Sequence, residues 1–489
     1  MAGAAPCNVP LLAHMREPLL VEPLFPDRSS GEPLAMQLAR RLRTAIDSGA
    51  IPARTKMLGS RELAKRLGLG RNTVALAFEQ LTAEGYLQTR RGSGTFVALP
   101  LLKRHQVVRT SVVSDDAANR QSAALRSHFC VAAGRGPLRP GMPFLPAFPL
   151  NTWKRCAREA LTVYDRGLGY GPAYGTDALR GAIAQHVRQF RGISADREQI
   201  IVVEGAQAAI HLAALVLTKA GDTIAIEDPC YALACAAFHL LNLRLHAVPV
   251  DEEGLRTDAL TRHARCVFVT PTHQFPLGGT LPLARRLELL EWAQERDAYV
   301  LEDDYDSEFT SRMRPLPALQ SLDRHERVVY IGSFSKSLAP ALRVGFLIVP
   351  PHLARAFRAA RASSSLGVAL HLQETLAHFI DRGHFARHLR RMNGRYDRKR
   401  TILARALEPL SGRGYTLGPT QVGLHFSLRA NRKFDDRALA FVDDDHRVLA
   451  LSSLCIERKD CFGFALGFTN GTDDEIAQAA DRFVLWVTR

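Results

Sequence analysis

Six short apolar runs dominate the middle of the chain: QIIVVEG (199–205), DTIAIED (222–228), CVFVTP (266–271), AYVLEDD (298–304), VVYIG (328–332) and VGFLIVP (344–350). Each is rich in Val and Ile, too short for a typical helix, and bounded by polar or Gly/Pro positions. That combination predicts buried strands. Helical patterns separate several of them. Strands alternating with helices have few ways to fold, and the expected result is an α/β domain with a mostly parallel sheet. Ligands of such a sheet sit beyond the carboxyl ends of its strands.

Polar residues gather at those ends. After QIIVV, Gly205, Ala206 and Gln207 open a helical pattern whose free N–H groups and dipole suit a phosphate. After VFVT comes PTHQFPLGG, with His273 and Gln274. After AYVL comes EDDYDSEF, with Asp303, Asp304 and Tyr305. After VVYIG comes SFSK, with Ser333, Ser335 and Lys336, and Arg343 follows. Singly, these are an ordinary turn, a cap and a solvated lysine. Together they are a phosphate seat, an acid, a phenol and an amine. Pyridoxal phosphate needs that set, because a lysine forms the Schiff base with its aldehyde and an aspartate holds the pyridinium proton. Small neighbours and nearby cations lower the lysine's pKa and keep its amine nucleophilic. Arg343 is suited to neutralise phosphate through paired hydrogen bonds.

Upstream the pattern changes. MQLARRLRTAIDS (36–48) has a helical period, and Gly49 and Pro52 stop it. Ser60 is expected to cap a second helix, RELAKRLG, which ends at Gly68. A GLG turn leads to RNTVALAFEQLTAEGY, where Val74, Ala77, Phe78 and Leu81 form one apolar face. Two short helices joined by a Gly-containing turn describe a helix-turn-helix. Arg71, Asn72 and Thr73 open the second helix, where a recognition helix meets base edges and phosphates. Arg61 is a further candidate for DNA contact. In LQTRRGSGTFV two β-prone runs flank Arg90, Arg91 and Ser93, which reads as a hairpin tip able to lie along a minor groove. Between Pro33 and Ala98 there are 11 Lys/Arg against 4 Asp/Glu, in a chain of net charge +15. That balance supports a nucleic-acid partner.

The expected organisation is a DNA-reading head (30–99), a linker (100–135) without sustained period, and an α/β body (136–489). No uncharged apolar run reaches the ~18 residues of a membrane span. The N-terminus lacks the basic start and continuous apolar stretch of a secretory signal, so a cytoplasmic location is expected. Eight cysteines are irregularly spaced with no C-x-x-C pair, so neither a metal site nor a disulfide framework is expected.

The run SRELAKRLGLGRNTVALAFEQLTAEGYLQTRRGSGTFV resembles the winged helix-turn-helix of the GntR family. It departs at MLGSR, where that family has an L-P-S-S-R-type entry, and at Gly70, which replaces a serine cap. The motifs YGPAYG, GAQAAI, EDPCY, TPTHQFPLG, EDDYDSEF and GSFSKSLAPALRVGFLIVP occur in the order of a fold-type I aminotransferase domain. The whole chain resembles the MocR/GabR-type regulators, in which a GntR head is fused to an aminotransferase-like body. The resemblance implies that Lys336 is the Schiff-base lysine, that Asp303 pairs with the ring nitrogen and that Tyr305 bonds the ring's phenolate oxygen. Tyr231 would stack on the ring or lie beside it. Gly205, Ala206, Gln207, Ser333, Ser335 and Arg343 would hold phosphate, and His273 or Gln274 would lie near the ring oxygen. Tyr170 would reach the phosphate of a neighbouring subunit, so a homodimer is implied. Ala465 stands where relatives carry an arginine for an α-carboxylate. The function implied is a pyridoxal-phosphate-dependent transcription regulator. It binds a double-stranded DNA operator and senses an amine, an amino-acid-like effector or the cofactor itself. The alternatives are an active aminotransferase carrying a DNA-binding head, and a DNA-binding protein whose body has lost the cofactor.

Overall fold

The structure is a computed structural model that describes residues 24–98, 136–162, 169–310, 317–437 and 448–488. The expected linker, 100–135, lies outside the described residues. The chain divides into two compact units, Met1–Ser114 and Asp115–Arg489.

In the first unit, α1 (Leu34–Asp47), α2 (Ser60–Leu67) and α3 (Arg71–Ala83) precede β1 (Leu87–Arg90) and β2 (Gly94–Val97). The apolar stripe of α3, Val74, Ala77, Phe78 and Leu81, is buried as its spacing requires. It packs with Leu38, Leu42, Leu63 and Leu67 into one core. Gly68 ends α2 in the left-handed region at φ 61°, where a side chain is strained. One expectation is corrected here. Gly59, not Ser60, is the N-cap of α2, and no side chain caps it. The backbone is already helical at Ser60, one residue earlier than the cap reading assumed. β1 and β2 pair antiparallel in the register Arg90↔Gly94, which leaves residues 91–93 at the tip.

The second unit is built on an eight-stranded sheet, order β3-β10-β9-β8-β7-β4-β5-β6. Its strands are β3 (Ile200–Val203), β4 (Thr223–Asp228), β5 (Arg244–Asp251), β6 (Gly254–Leu255), β7 (Ala264–Val269), β8 (Tyr299–Asp304), β9 (Val328–Ser333) and β10 (Gly345–Ile348). The pairs β4–β5, β4–β7, β7–β8 and β8–β9 are parallel, whereas β10 runs antiparallel to both β3 and β9. Around the sheet lie α4 (Leu150–Thr162), α5 (Asp177–Arg191), α6 (Ala206–Leu217), α7 (Ala232–Leu240), α8 (Leu283–Glu295), α9 (Leu319–Leu322) and α10 (Ala354–Ser364). Alternation along each strand divides side chains between two cores. On β8, Tyr299 and Leu301 enter one cluster, and Val300 enters another.

The chain then forms α11 (Leu370–Asp381) and α12 (His384–Ser411) and a second sheet. That sheet has the order β11-β12-β14-β13, from β11 (Tyr415–Leu417), β12 (His425–Ala430), β13 (Leu449–Ala450) and β14 (Gly463–Gly467). The final helix, α13 (Asp473–Val487), starts from a capping box in which Thr472 and Glu475 satisfy each other's backbone N–H groups. No described helix is long and apolar enough to cross a membrane.

Candidate cofactor pocket and nucleic-acid interface

The pocket is assembled at the carboxyl ends of β3, β4, β7, β8 and β9. From β3 the chain turns at Gly205, φ 93°, into α6. A Cβ on Gly205 would sit 3.6 Å from the Arg343 guanidinium, and one on Gly345 would lie 2.7 Å from Gly205 backbone carbons. Two glycines thus let β10, the start of α6 and Arg343 crowd together. No side chain caps α6, so its first N–H groups stay open beside a guanidinium. That is a seat for a phosphate dianion. Ala206 and Gln207 contribute through their backbone, because the Gln207 side chain donates to the Leu233 carbonyl at 2.7 Å. Ser333 ends β9, and its hydroxyl accepts the Ser335 N–H at 3.1 Å, next to Lys336.

Lys336 Nζ donates to the Gly141 carbonyl at 2.6 Å. Burial lowers its pKa and the Arg139 cation lowers it further, while Asp306 and Asp303 oppose the shift. Asp303 is buried, and its Oδ1 has no hydrogen-bond partner among the described residues. Burial, reinforced by Asp304, pushes its carboxyl up to about 7. Asp304 points to the other side of β8, where its Oδ2 meets Arg191 Nε at 2.6 Å and accepts the Tyr330 hydroxyl at 2.6 Å. Strand alternation thus separates a committed carboxylate from one with an open oxygen. Tyr231 is half-buried at the N-cap of α7, edge-on to Phe275 with ring centroids 6.0 Å apart. Burial and the nearby Asp303 push its phenol up to about 12, against the Arg343 cation.

Tyr305 donates its hydroxyl to the His273 carbonyl at 2.9 Å and lies 3.0 Å from His273 Nδ1. Nδ1 also stands 3.0 and 3.1 Å from the two Asp306 oxygens. Asp306 accepts the Leu424 N–H at 3.0 Å, which draws the start of β12 against the pocket. His425 follows, its ring centroid 4.6 Å from that of His273. His273, Asp306 and His425 place ligand-type atoms within 4.8 Å of one another. Gln274 is otherwise occupied, donating to the Pro229 and Phe275 carbonyls and accepting the Leu277 N–H. Of the two residues expected near the ring oxygen, His273 is therefore the one beside Tyr305. Gly141, Arg139, Asp306 and His425 escaped the sequence reading. They lie on segments remote from the strand ends, and only Asp306 stood inside a motif already noticed. Tyr170 is 91% exposed and outside this constellation within one chain.

These residues fit pyridoxal phosphate. The open oxygen of Asp303 has no protein partner, and a pyridinium N–H would satisfy it. The phosphate seat exists only because Gly205 and Gly345 carry no Cβ.

On the first unit, Arg61, Arg71, Asn72, Arg90, Arg91 and Ser93 are exposed and Thr73 is half-buried. Arg71, Asn72 and Thr73 form the first turn of α3, and Arg91 and Ser93 lie at the hairpin tip. The Arg90 guanidinium stands 5.3 Å from the centre of the Phe96 ring, which braces the tip. Arg43 and Arg66 are paired with Glu84 and Glu62, so the unpaired basic groups concentrate at α3 and the hairpin.

A head of this kind joined to such a body defines a class. Residues 34–97 match the family of bacterial regulatory proteins, gntR family, and residues 147–465 match aminotransferase class I and II. The probable rhizopine catabolism regulatory protein MocR of Rhizobium meliloti is 37% identical, covering 84% of this chain and 85% of that protein. The pyridoxine biosynthesis transcriptional regulator PdxR of Corynebacterium glutamicum is 31% identical, covering 90% and 93%. The multiple substrate aminotransferase of Thermococcus profundus has a TM-score of 0.68 at 26% identity, over 74% of this chain and 94% of that one. LysN of Thermus thermophilus, an alpha-aminoadipate aminotransferase, has a TM-score of 0.68 at 25% identity, over 76% and 96%. The chain belongs to the MocR-type GntR transcription regulators. Its head is a DNA-binding domain, and its body is a fold-type I aminotransferase-like domain that binds pyridoxal phosphate.

Proposed function

We propose that the body is a sensor in which an amine effector competes with Lys336 for bound pyridoxal phosphate, and that the head carries the outcome to an operator. The observation that supports this most is the convergence of Lys336, the open oxygen of Asp303 and the Gly205–Arg343 seat at one set of strand ends. Pyridoxal phosphate supplies an aldehyde that condenses with primary amines and a ring that draws in electrons when its nitrogen is protonated. The Asp303 carboxylate holds that nitrogen's proton. Tyr305 and His273 orient the phenolate side. The N-terminus of α6 and Arg343 bind the phosphate, with Ser333 and Ser335 at its edge. The lowered pKa of Lys336 keeps more of its amine neutral, hence nucleophilic. When an effector displaces it, the lysine has a place ready on the Gly141 carbonyl.

The effector is an amine that needs no arginine on β14. Ala465 is fully buried in an apolar cluster with Val250, Leu277 and Leu451. A protein lacking that clamp is a poor transaminase for ordinary α-amino acids, which favours sensing over turnover. The functional unit is a homodimer in the cytoplasm, with Tyr170 reaching the partner's phosphate. The effector acts through its difference in affinity between two arrangements of the body. Arg61, Arg71, Asn72 and Thr73 face the major groove, and Arg90, Arg91 and Ser93 the minor. The test is the visible spectrum of the purified protein during titration with candidate amines. A cofactor band that Lys336→Ala abolishes, and that amines lacking a carboxylate shift, is expected. A colourless protein that takes up no added pyridoxal phosphate overturns the sensor. Steady transamination of common α-amino acids overturns it in favour of an enzyme.

A further inference from the structure

Four of the cysteines stand as two pairs on neighbouring turns at the rim of the pocket. Cys230 and Cys235 flank Tyr231, with their sulfurs 3.2 Å apart. Cys455 and Cys461 bracket the loop that enters β14, and both pack on the apolar cluster containing Ala465. The two turns are clipped together. Leu454 accepts the Cys230 N–H at 3.1 Å. The Asp228 carboxylate accepts the N–H groups of Ile456, Glu457 and Arg458 at 2.9, 2.8 and 2.8 Å. Among the described residues no three of these sulfurs gather at metal-ligand spacing, so they act as pairs.

The pairs differ in reactivity. Cys230 and Cys235 are buried, and Cys230 is held well above the ordinary thiol range, first by its hydrogen bond to Cys235 and then by burial. Such thiols are inert. Cys455 is partly exposed and hydrogen-bonded to Cys461. That bond, with the Arg458 and Arg429 cations, lowers the Cys461 thiol. A partly exposed thiol beside a thiolate in an electropositive setting is where oxidation is selective.

We propose that Cys455 and Cys461 form a reversible disulfide in response to a hydroperoxide, and that this closure resets the cofactor pocket through Asp228 and Cys230. The Cys461 thiolate attacks the O–O bond. One oxygen stays on sulfur as a sulfenic acid, and the other leaves as an alcohol or water after taking a proton. The Cys455 sulfur then attacks, the S–S bond forms, the S–O bond breaks and water departs. The two thiols lose two electrons and the hydroperoxide gains them. Closure draws on the loop whose N–H groups grip Asp228, two residues before Cys230 and three before Tyr231. The coupling rests on the pyridoxal-phosphate reading, but the thiol chemistry does not.

The experiment uses the reduced, cofactor-loaded full chain and hydrogen peroxide as the probe. Unreacted thiols are alkylated after denaturation, and the peptides are mapped by mass spectrometry without reduction. A Cys455–Cys461 linked peptide is expected, with Cys230 and Cys235 still alkylated. A several-fold change in pyridoxal-phosphate Kd should accompany it and reverse with dithiothreitol. Cys455→Ser and Cys461→Ser should each lose the link and the response while the reduced protein keeps the cofactor spectrum of the parent. Two alkylated outer thiols at saturating peroxide, or a link first at Cys230–Cys235, overturn the site. A formed link with unchanged Kd and spectrum overturns the coupling. A link in a protein that never binds the cofactor overturns the coupling and the pocket reading together, and leaves the thiol chemistry standing.

Discussion

The adjacent carboxylates of β8 should respond oppositely to the same substitution. Asp304 pairs with Arg191, both side chains 2% exposed. In Asp304→Asn the guanidinium stays buried without its counter-charge, a loss of about 3–5 kcal/mol. Asp303 has an open oxygen, and its carboxyl rises from 3.8 to about 7. At about 1.4 kcal/mol per unit, keeping it ionised in the cofactor-free fold costs on the order of 4 kcal/mol. The sign follows from proton counting. Between the two pKa values the folded state binds more protons than the unfolded one. This group's cost is therefore absent below about pH 4 and grows as pH rises toward 7. Asp303→Asn should therefore stabilise the cofactor-free body at neutral pH by up to that amount, with the gain vanishing in acid. It should also weaken pyridoxal-phosphate binding, because an amide carries no charge for the pyridinium. Urea unfolding of cofactor-free wild type and both variants, followed by circular dichroism at several pH values, makes the comparison. The reasoning is refuted if Asp303→Asn destabilises as much as Asp304→Asn, or if its effect does not depend on pH.

Other consequences are testable in parallel. Arg71→Ala should weaken binding to all DNA sequences and reduce the slope of log K against log salt by about 1, measured by fluorescence anisotropy. Gly345→Ala sets a Cβ against the Gly205 backbone and should raise the pyridoxal-phosphate Kd at least about tenfold, near 1.4 kcal/mol, as read by absorbance titration. Thr472→Ala removes half the capping box of α13 and should cost about 1 kcal/mol in denaturant unfolding without changing cofactor affinity.

The large sheet was legible because its central strands are buried on both faces and read as unbroken apolar runs. All six predicted runs contain a strand. β5 escaped because it lies toward the sheet edge, where its burial is mixed and its hydrophobic pattern is diluted. The antiparallel direction of β10 is invisible to periodicity, since direction belongs to the connection and not to the strand. The second sheet escaped for the first reason, as β11 and β13 are short and β12 loses burial toward its end. In the head, the stripe of α3 was read residue for residue, but the start of α2 slipped by one. A glycine cap leaves no side-chain signature for pattern reading to find.

The candidate site was legible to the extent that one topological rule covers it. Residues at the ends of parallel strands converge whatever their separation in sequence, so Gly205, Asp303, Tyr305, Lys336 and Arg343 could be collected from six runs without knowing any distance. The rule fails for residues that reach the pocket by another route. Gly141 and Arg139 precede the first strand of the sheet. His425 arrives on the second sheet because the Asp306 carboxylate takes the Leu424 N–H. Asp306 lies two residues beyond the end of β8 and serves two partners, His273 inside the pocket and the backbone before β12 outside it. A shift of the second sheet therefore reaches His273 and the Tyr305 phenol through one carboxylate. A motif reading assigns each residue one role. Asp306 sits between two structural parts, and nothing local in its neighbours records the second of them.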